Sequence, residues 1–194
     1  MFLYDVPKFL FPPKCIFCGK YGENLCDTCI KRIEKLEKLQ IIKFQNKNLD
    51  FLIYFFKYEK LIRKLVLGYK FFNRPFVSEA FVKIIVKNEK ICGKLKFYDI
   101  ITSVPMYKAK KLARGYNQTE LFSKNLAEKL KLNYEPLLIE KVVENKRQSS
   151  LTFKQRQENV RGVFEVRQKD VIRNKNIILV DDIYTSRCNL GRMR

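Results

Sequence analysis

The sequence predicts an α/β fold in which a parallel sheet with helical crossovers carries a small four-cysteine metal module at its N-terminal end. Three observations predict it. From Phe51 onward, apolar runs of strand length alternate with stretches of helical periodicity. The run Asn176-Ile177-Ile178-Leu179 continues into Val180-Asp181-Asp182-Ile183-Tyr184-Thr185-Ser186, the pattern of a buried parallel strand ending in a ligand loop. Two Cys-x2-Cys pairs fall within fifteen residues near the start.

The cysteine spacing Cys15-x2-Cys18-x7-Cys26-x2-Cys29 predicts a tetrahedral Zn²⁺ site. With all four positions filled by thiolates, the metal would be structural rather than catalytic. Gly19 and Gly22 follow the first knuckle, where a tight turn calls for positive φ. Next, apolar residues at positions 30, 33, 36 and 39 mark one stripe of a helix over Ile30–Leu39, with Glu34 and Lys38 an i,i+4 pair on its wet face. Residues 1–45 thus read as a zinc module with its following helix, and 46–194 as a larger domain, with Asn46-Lys47-Asn48 at the junction. In that domain Phe51–Tyr58 reads as a strand and Lys60–Leu67 as a helix stopped by Gly68. Phe76–Val86 reads as a helix, and Phe97–Val104 as a buried strand ending at Pro105. Asn117 or Thr119 would cap a helix running to about Lys131. Pro136–Val143 reads as a further strand.

Composition narrows the chemistry. There is no histidine among the 194 residues, which removes His bases, His ligands and every Ser-His or Cys-His nucleophile. Lys and Arg number 40 against 20 Asp and Glu, a net charge of +20. Two readings fit: an anionic partner, nucleic acid or a phosphorylated ligand, or a Lys-rich composition whose lysines are scattered along the chain. No apolar stretch approaches the ~18–20 residues of a membrane helix, and the N-terminus lacks the basic start and cleavage site of a signal peptide. The expectation is a cytoplasmic protein whose six cysteines are ligands or free thiols.

Three polar clusters follow or separate the strands. One runs from Lys108 through Lys111 and Arg114 to Gln118. A second spans Asn145, Arg147 and Gln148, continuing past Arg156 to Gly162. The third is the Asp181-Asp182 loop. Two basic loops facing an acid pair suit a polyphosphorylated sugar with Mg²⁺, the bases on pyrophosphate and the acids on ribose hydroxyls. The plainer reading of the basic loops is solvated surface. No general base is assignable.

The acid-pair loop resembles the ribose-phosphate loop of type I phosphoribosyltransferases. The chain as a whole resembles the ComF family of bacterial proteins linked to DNA uptake in natural competence. The residues that carry this are Pro12-Pro13 before the first knuckle, both knuckles, Tyr58 with Leu61-Ile62, Leu67-x-Tyr69-Lys70-Phe71, and Val104-Pro105. Arg114-Gly115-Tyr116-Asn117-Gln118, Gln148-x2-Leu151-x4-Arg156-x2-Asn159-Val160-x-Gly162-x-Phe164, and Val180–Thr185 complete the set. The resemblance implies a zinc ribbon on a type I phosphoribosyltransferase-like parallel sheet, phosphoribosyl pyrophosphate with Mg²⁺ as ligand, and handling of incoming single-stranded DNA alongside a competence helicase. Asp181 and Asp182 would be the catalytic acids, with Ser103, Lys108, Lys111, Arg114, Arg147, Tyr184, Thr185 and Ser186 binding substrate. Two alternatives stand beside it: a non-catalytic zinc-ribbon adapter for single-stranded DNA, and a nucleobase-salvage phosphoribosyltransferase, against which the zinc module argues. The family pattern continues Thr-Gly-Ala-Thr-Leu, whereas this chain reads Arg187-Cys188-Asn189-Leu190. Shifted by one base after Ser186, permitted codons for residues 187–193 can spell Gly-Ala-Thr-Leu-(Gly or Glu)-Glu-Cys. Residues 187–194 are therefore expected to be a frameshifted tail that breaks the phosphate loop and truncates the domain.

Overall fold

A computed structural model describes residues 12–46, 49–143 and 162–184. The expected mixed α/β architecture is present, with a parallel sheet and a four-cysteine cluster. Gly19 and Gly22 take φ of 75° and 107°, as the knuckle turns require. Helix α1 spans Asp27–Glu34, starting directly after Cys26. It does not reach Leu39. Ile30 and Ile33 find a core, but Leu36 is 40% exposed, and the chain turns into strand β1, Glu37–Asn46. Lys38 therefore lies on a strand, and Glu34 pairs with Lys87 instead. β1 pairs antiparallel with β2, Leu49–Phe56, so this hairpin spans position 46; Lys47 and Asn48 lie outside the described residues.

Helix α2, Lys60–Phe71, passes through Gly68 rather than stopping there. The reason is packing: a Cβ at Gly68 would lie 3.2 Å from Arg74 Cδ and Nη1. The glycine makes room for an arginine laid across the helix. Helix α3, Phe76–Val86, matches expectation. The short α4, Glu89–Leu95, was not expected; its N-cap Asn88 accepts a hydrogen bond from Ile91 N–H at 3.2 Å. α3 is buried on several sides and joins two cores. Val77, Phe81 and Ile84 pack with Cys15, Cys26, Cys29, Ile33 and Leu65. Val82 and Ile85 pack with Ile91, Ile101, Leu126 and Val180.

Strand β3, Ile100–Ser103, is buried at every position and forms the centre of the parallel sheet. It starts later than expected because Phe97 is 82% exposed. Asp99 closes the start, accepting hydrogen bonds from Asn176 N–H at 2.8 Å and Lys175 Nζ at 3.1 Å. The basic stretch after Pro105 is not a loop: Lys108–Arg114 forms helix α5. Helix α6, Gln118–Leu130, is capped by Asn117, whose Oδ1 accepts from Thr119 N–H at 3.1 Å. β4, Asn133–Tyr134, lies on one side of β3, and β7, Ile177–Val180, on the other, both parallel to it. β5, Ile139–Lys141, is shorter than expected and stands outside that sheet, pairing antiparallel with β6, Phe164–Val166. Among the described residues, no helix is long and apolar enough to cross a membrane.

Candidate functional site

The four knuckle cysteines converge. Their Sγ atoms lie within 4.8 Å of one another, with Cys18 and Cys26 at 3.6 Å. Four thiolates about 2.3 Å from one Zn²⁺ would stand roughly 3.8 Å apart, so a modest contraction closes the tetrahedron. Cys15, Cys26 and Cys29 are buried and Cys18 is exposed. Burial raises Cys15, but the N–H groups of Cys18, Cys26 and Phe17 and the Cys18 side chain outweigh it and bring the thiol to about 6. Burial, then the neighbouring thiols, pushes Cys29 up to about 12. A divalent cation answers both, because it favours all four thiolates at once. The donor set fits a structural metal.

The acid pair leaves the carboxyl end of β7, where ligands of open parallel sheets bind. Ser103 is opposite Val180 in register, and Val104 N–H donates to Val180 C=O at 2.9 Å, so the loop after β3 runs beside the acids. A cleft of about 150 Å³ opens there, lined by Val104, Pro105, Tyr107, Lys110, Asn117, Gln118, Lys141, Asp181 and Asp182. A larger cavity of about 870 Å³ shares Gln118, Thr119, Asp181 and Asp182 with it and reaches Tyr184. Asp181 is exposed at the surface, yet the protein packed around it and then the charge of Asp182 push it up to about 6; the Asp182 N–H, donating to Asp181 Oδ1 at 2.8 Å, and Lys70 oppose the rise. Two like charges on adjacent residues call for a cation between them. Lys70 Nζ supplies one, 2.7 Å from Asp182 Oδ2.

Lys70 is brought there by an interlock of two distant segments. Tyr69 O–H donates to Gln118 C=O at 2.7 Å, and Gln118 Nε2 donates to Lys70 C=O at 3.5 Å. Tyr116 O–H donates in return to Tyr69 C=O, and the two rings sit 5.7 Å apart. Thr119 Oγ1 donates to Val104 C=O at 3.0 Å, fixing α6 to the loop after β3. Leu67–Phe71, Arg114–Thr119 and Val104–Pro105 are thus bound into one frame around the acids.

Of the residues expected to bind substrate, Ser103 lies beside the acids but is buried at 2% exposure, beneath the cleft. Lys108 is 3.8 Å from Glu140, Lys111 is 2.6 Å from Glu120, and Arg114 stands 5.2 Å over the Phe71 ring; none of the three lines the cleft. Tyr184 is half-buried at the end of the described stretch. Arg147, Thr185 and Ser186 lie outside the described residues, as does the expected frameshifted tail. Sequence reasoning missed Lys70 and Lys110. Lys70 was visible as the polar member of Leu67-x-Tyr69-Lys70-Phe71, and Lys110 sits between two lysines that had been singled out.

No family model matches the chain. Competence protein F of Haemophilus influenzae is 26% identical to it over 188 residues, covering 93% of this chain and 76% of that protein. DNA utilization protein YhgH of Salmonella typhimurium is 24% identical over 177 residues, covering 90% and 71%. YhgH of Escherichia coli is 19% identical over the same shares. The similarity to these proteins extends along nearly the whole chain.

Proposed function

We propose that this chain serves DNA uptake and utilisation, and that its acid-pair cleft is a phosphoribosyltransferase-type site for a phosphorylated ribose. The observation that carries the ligand reading is the position of Asp181 and Asp182, at the carboxyl edge of β7 beside the loop after β3 and across from Lys70. The names of the similar proteins support the DNA role. Asp181 and Asp182 would hold the ribose hydroxyls, and Lys110, which lines the cleft, the pyrophosphate; Lys111 and Arg114 would have to move in from outside the cleft to join it. Mg²⁺ fits this donor set, since it binds through one or two carboxylates plus phosphate oxygens. Departure of pyrophosphate leaves positive charge on the sugar, which two fixed carboxylates stabilise. Zn²⁺ on the four cysteines is structural. A phosphate turn needs consecutive N–H groups and a glycine where the backbone comes close. Arg187 stands where the family has that glycine, so binding should be weak and turnover negligible.

Titration calorimetry of phosphoribosyl pyrophosphate with Mg²⁺ tests this. Restoring the frame after codon 186 should tighten binding at least tenfold, and Asp181→Asn with Asp182→Asn should abolish it in the restored protein. Equal affinity before and after restoration sinks the broken-loop argument. Absence of binding in the restored protein sinks the ribose-phosphate reading.

A further inference from the structure

We infer that Phe71 and Phe72, backed by Arg114 and Arg74, form a stacking platform for single-stranded DNA, next in the chain to Lys70, which meets Asp182. This rests on the DNA-handling reading and names the surface that performs it. Phe71 ends α2 and Phe72 is its C-cap residue; they are 64% and 68% exposed. The helix does not need them for its own packing, because Ile62, Leu65, Val66 and Tyr69 supply its buried face. Each ring nonetheless has a guanidinium over it, Arg114 at 5.2 Å from Phe71 and Arg74 at 5.7 Å from Phe72. Arg74 reaches its place across Gly68, where any side chain would crowd it.

The two chain segments that carry the rings and their guanidiniums are basic, with Lys70 paired to Asp182. Lys60–Ser78 holds five basic residues and no acidic one, and Met106–Thr119 holds four and none. These two segments converge at the Tyr69–Tyr116 interlock. Lys60, Lys64, Leu67 and Phe71 follow one face of α2 at i,i+4, i+7 and i+11, a basic track leading to the rings. Among the described residues, Lys60, Arg63, Lys64, Arg74 and Arg114 have no acidic partner within 4 Å. Exposed aromatic rings beside a basic track are what a sequence-tolerant single-strand surface requires: rings for the base faces, cations for the phosphates. A membrane surface fits less well. The apolar face of α2 is turned into the core, and two rings are too little to insert.

The test uses the full zinc-loaded chain and a fluorescein-labelled dT20 in anisotropy titrations across salt concentration. Phe71→Ala with Phe72→Ala should weaken binding about fivefold to a hundredfold with the salt slope unchanged. Arg74→Gln with Arg114→Gln should reduce the slope of log K against log salt by about 1.4, at roughly 0.7 for each phosphate contact. Tyrosines at both ring positions should keep affinity within about twofold, because the stacking face is retained. The alanine pair should leave the melting temperature unchanged, since its side chains are exposed. If the parent binds dT20 and the alanine pair binds it equally, the platform is wrong and the DNA reading survives. If the parent binds no dT20, or binds phosphatidylglycerol vesicles in its place, both fail.

Discussion

Tyr69→Phe is the sharpest probe of the frame around the acids. The ring is 4% exposed and stays in place, so packing is conserved and only the hydroxyl is lost. That hydroxyl donates to Gln118 C=O at 2.7 Å. Gln118 opens α6, so its carbonyl also accepts from the helix itself and is not orphaned by the change. The cost should therefore be that of one buried hydrogen bond, about 1 kcal/mol, rather than the ~3 kcal/mol of a stranded acceptor. For a chain of this size that is roughly 2–4 °C in melting temperature. Tyr69→Ala removes the ring as well and should cost about 3–5 kcal/mol. Urea unfolding at fixed zinc and salt, followed by far-ultraviolet circular dichroism, measures both. A double cycle with Tyr116→Phe should show coupling, because Tyr116 O–H bonds the Tyr69 carbonyl. Neutral, additive single changes would mean that the two segments are not locked as described. A Tyr69→Phe loss as large as that of Tyr69→Ala would mean that the hydroxyl, not packing, fixes the frame.

The purified chain should carry one Zn²⁺, and Cys29→Ser should lose it. Since Cys15, Cys26 and Cys29 share a core with Leu65, Val77 and Ile84, chelation should lower the single unfolding midpoint of the whole chain, and a separate early transition would refute that coupling. Asp181 has a folded pKa near 6 against an ordinary 3.8, so the folded state holds this proton more tightly than the unfolded chain. Its protonated form therefore favours folding fully below about pH 4, and that advantage is lost as pH rises through 6. Asp181→Asn should flatten stability between those limits and leave the variant more stable than the parent at pH 7; identical pH profiles would exclude a strained acid at that position.

Much of the architecture was legible because it depends on local pattern. The apolar run before Asp181, the buried β3 and the apolar helix α3 each announce themselves within a dozen residues. The departures have physical causes that sequence alone conceals. α5 reads as a polar loop because Lys108-Ala-Lys-Lys-Leu-Ala-Arg114 has no apolar stripe, and Leu112 is 83% exposed; alanine and lysine helix propensity, the left-handed C-cap at Gly115 and the Lys111–Glu120 ion pair sustain it. Gly68 reads as a stop because its partner, Arg74, lies in a different turn of the chain. α1 stops short because the stripe continues in sequence but its core does not. In the site, the acid pair was visible and its counter-ion was not, since Lys70 meets Asp182 only through the fold.

The docking of α1 on α3 has a consequence for how the protein is made. Asp27 meets Lys83 at 3.0 Å and Glu34 meets Lys87, so one turn of α3 receives two turns of α1. α3 is synthesised about fifty residues after the knuckles, an interval of roughly 2.5–10 s at ribosomal speeds. During that time Cys15, Cys26 and Cys29 lack the part of their apolar cluster that α3 supplies, Val77, Ala80, Phe81 and Ile84. A nascent chain that captures its metal at this stage presents α1 already formed when Lys83 and Lys87 emerge. One that does not must fold α3 against unshielded thiols. The availability of zinc during translation, more than afterwards, would then decide the yield of native protein.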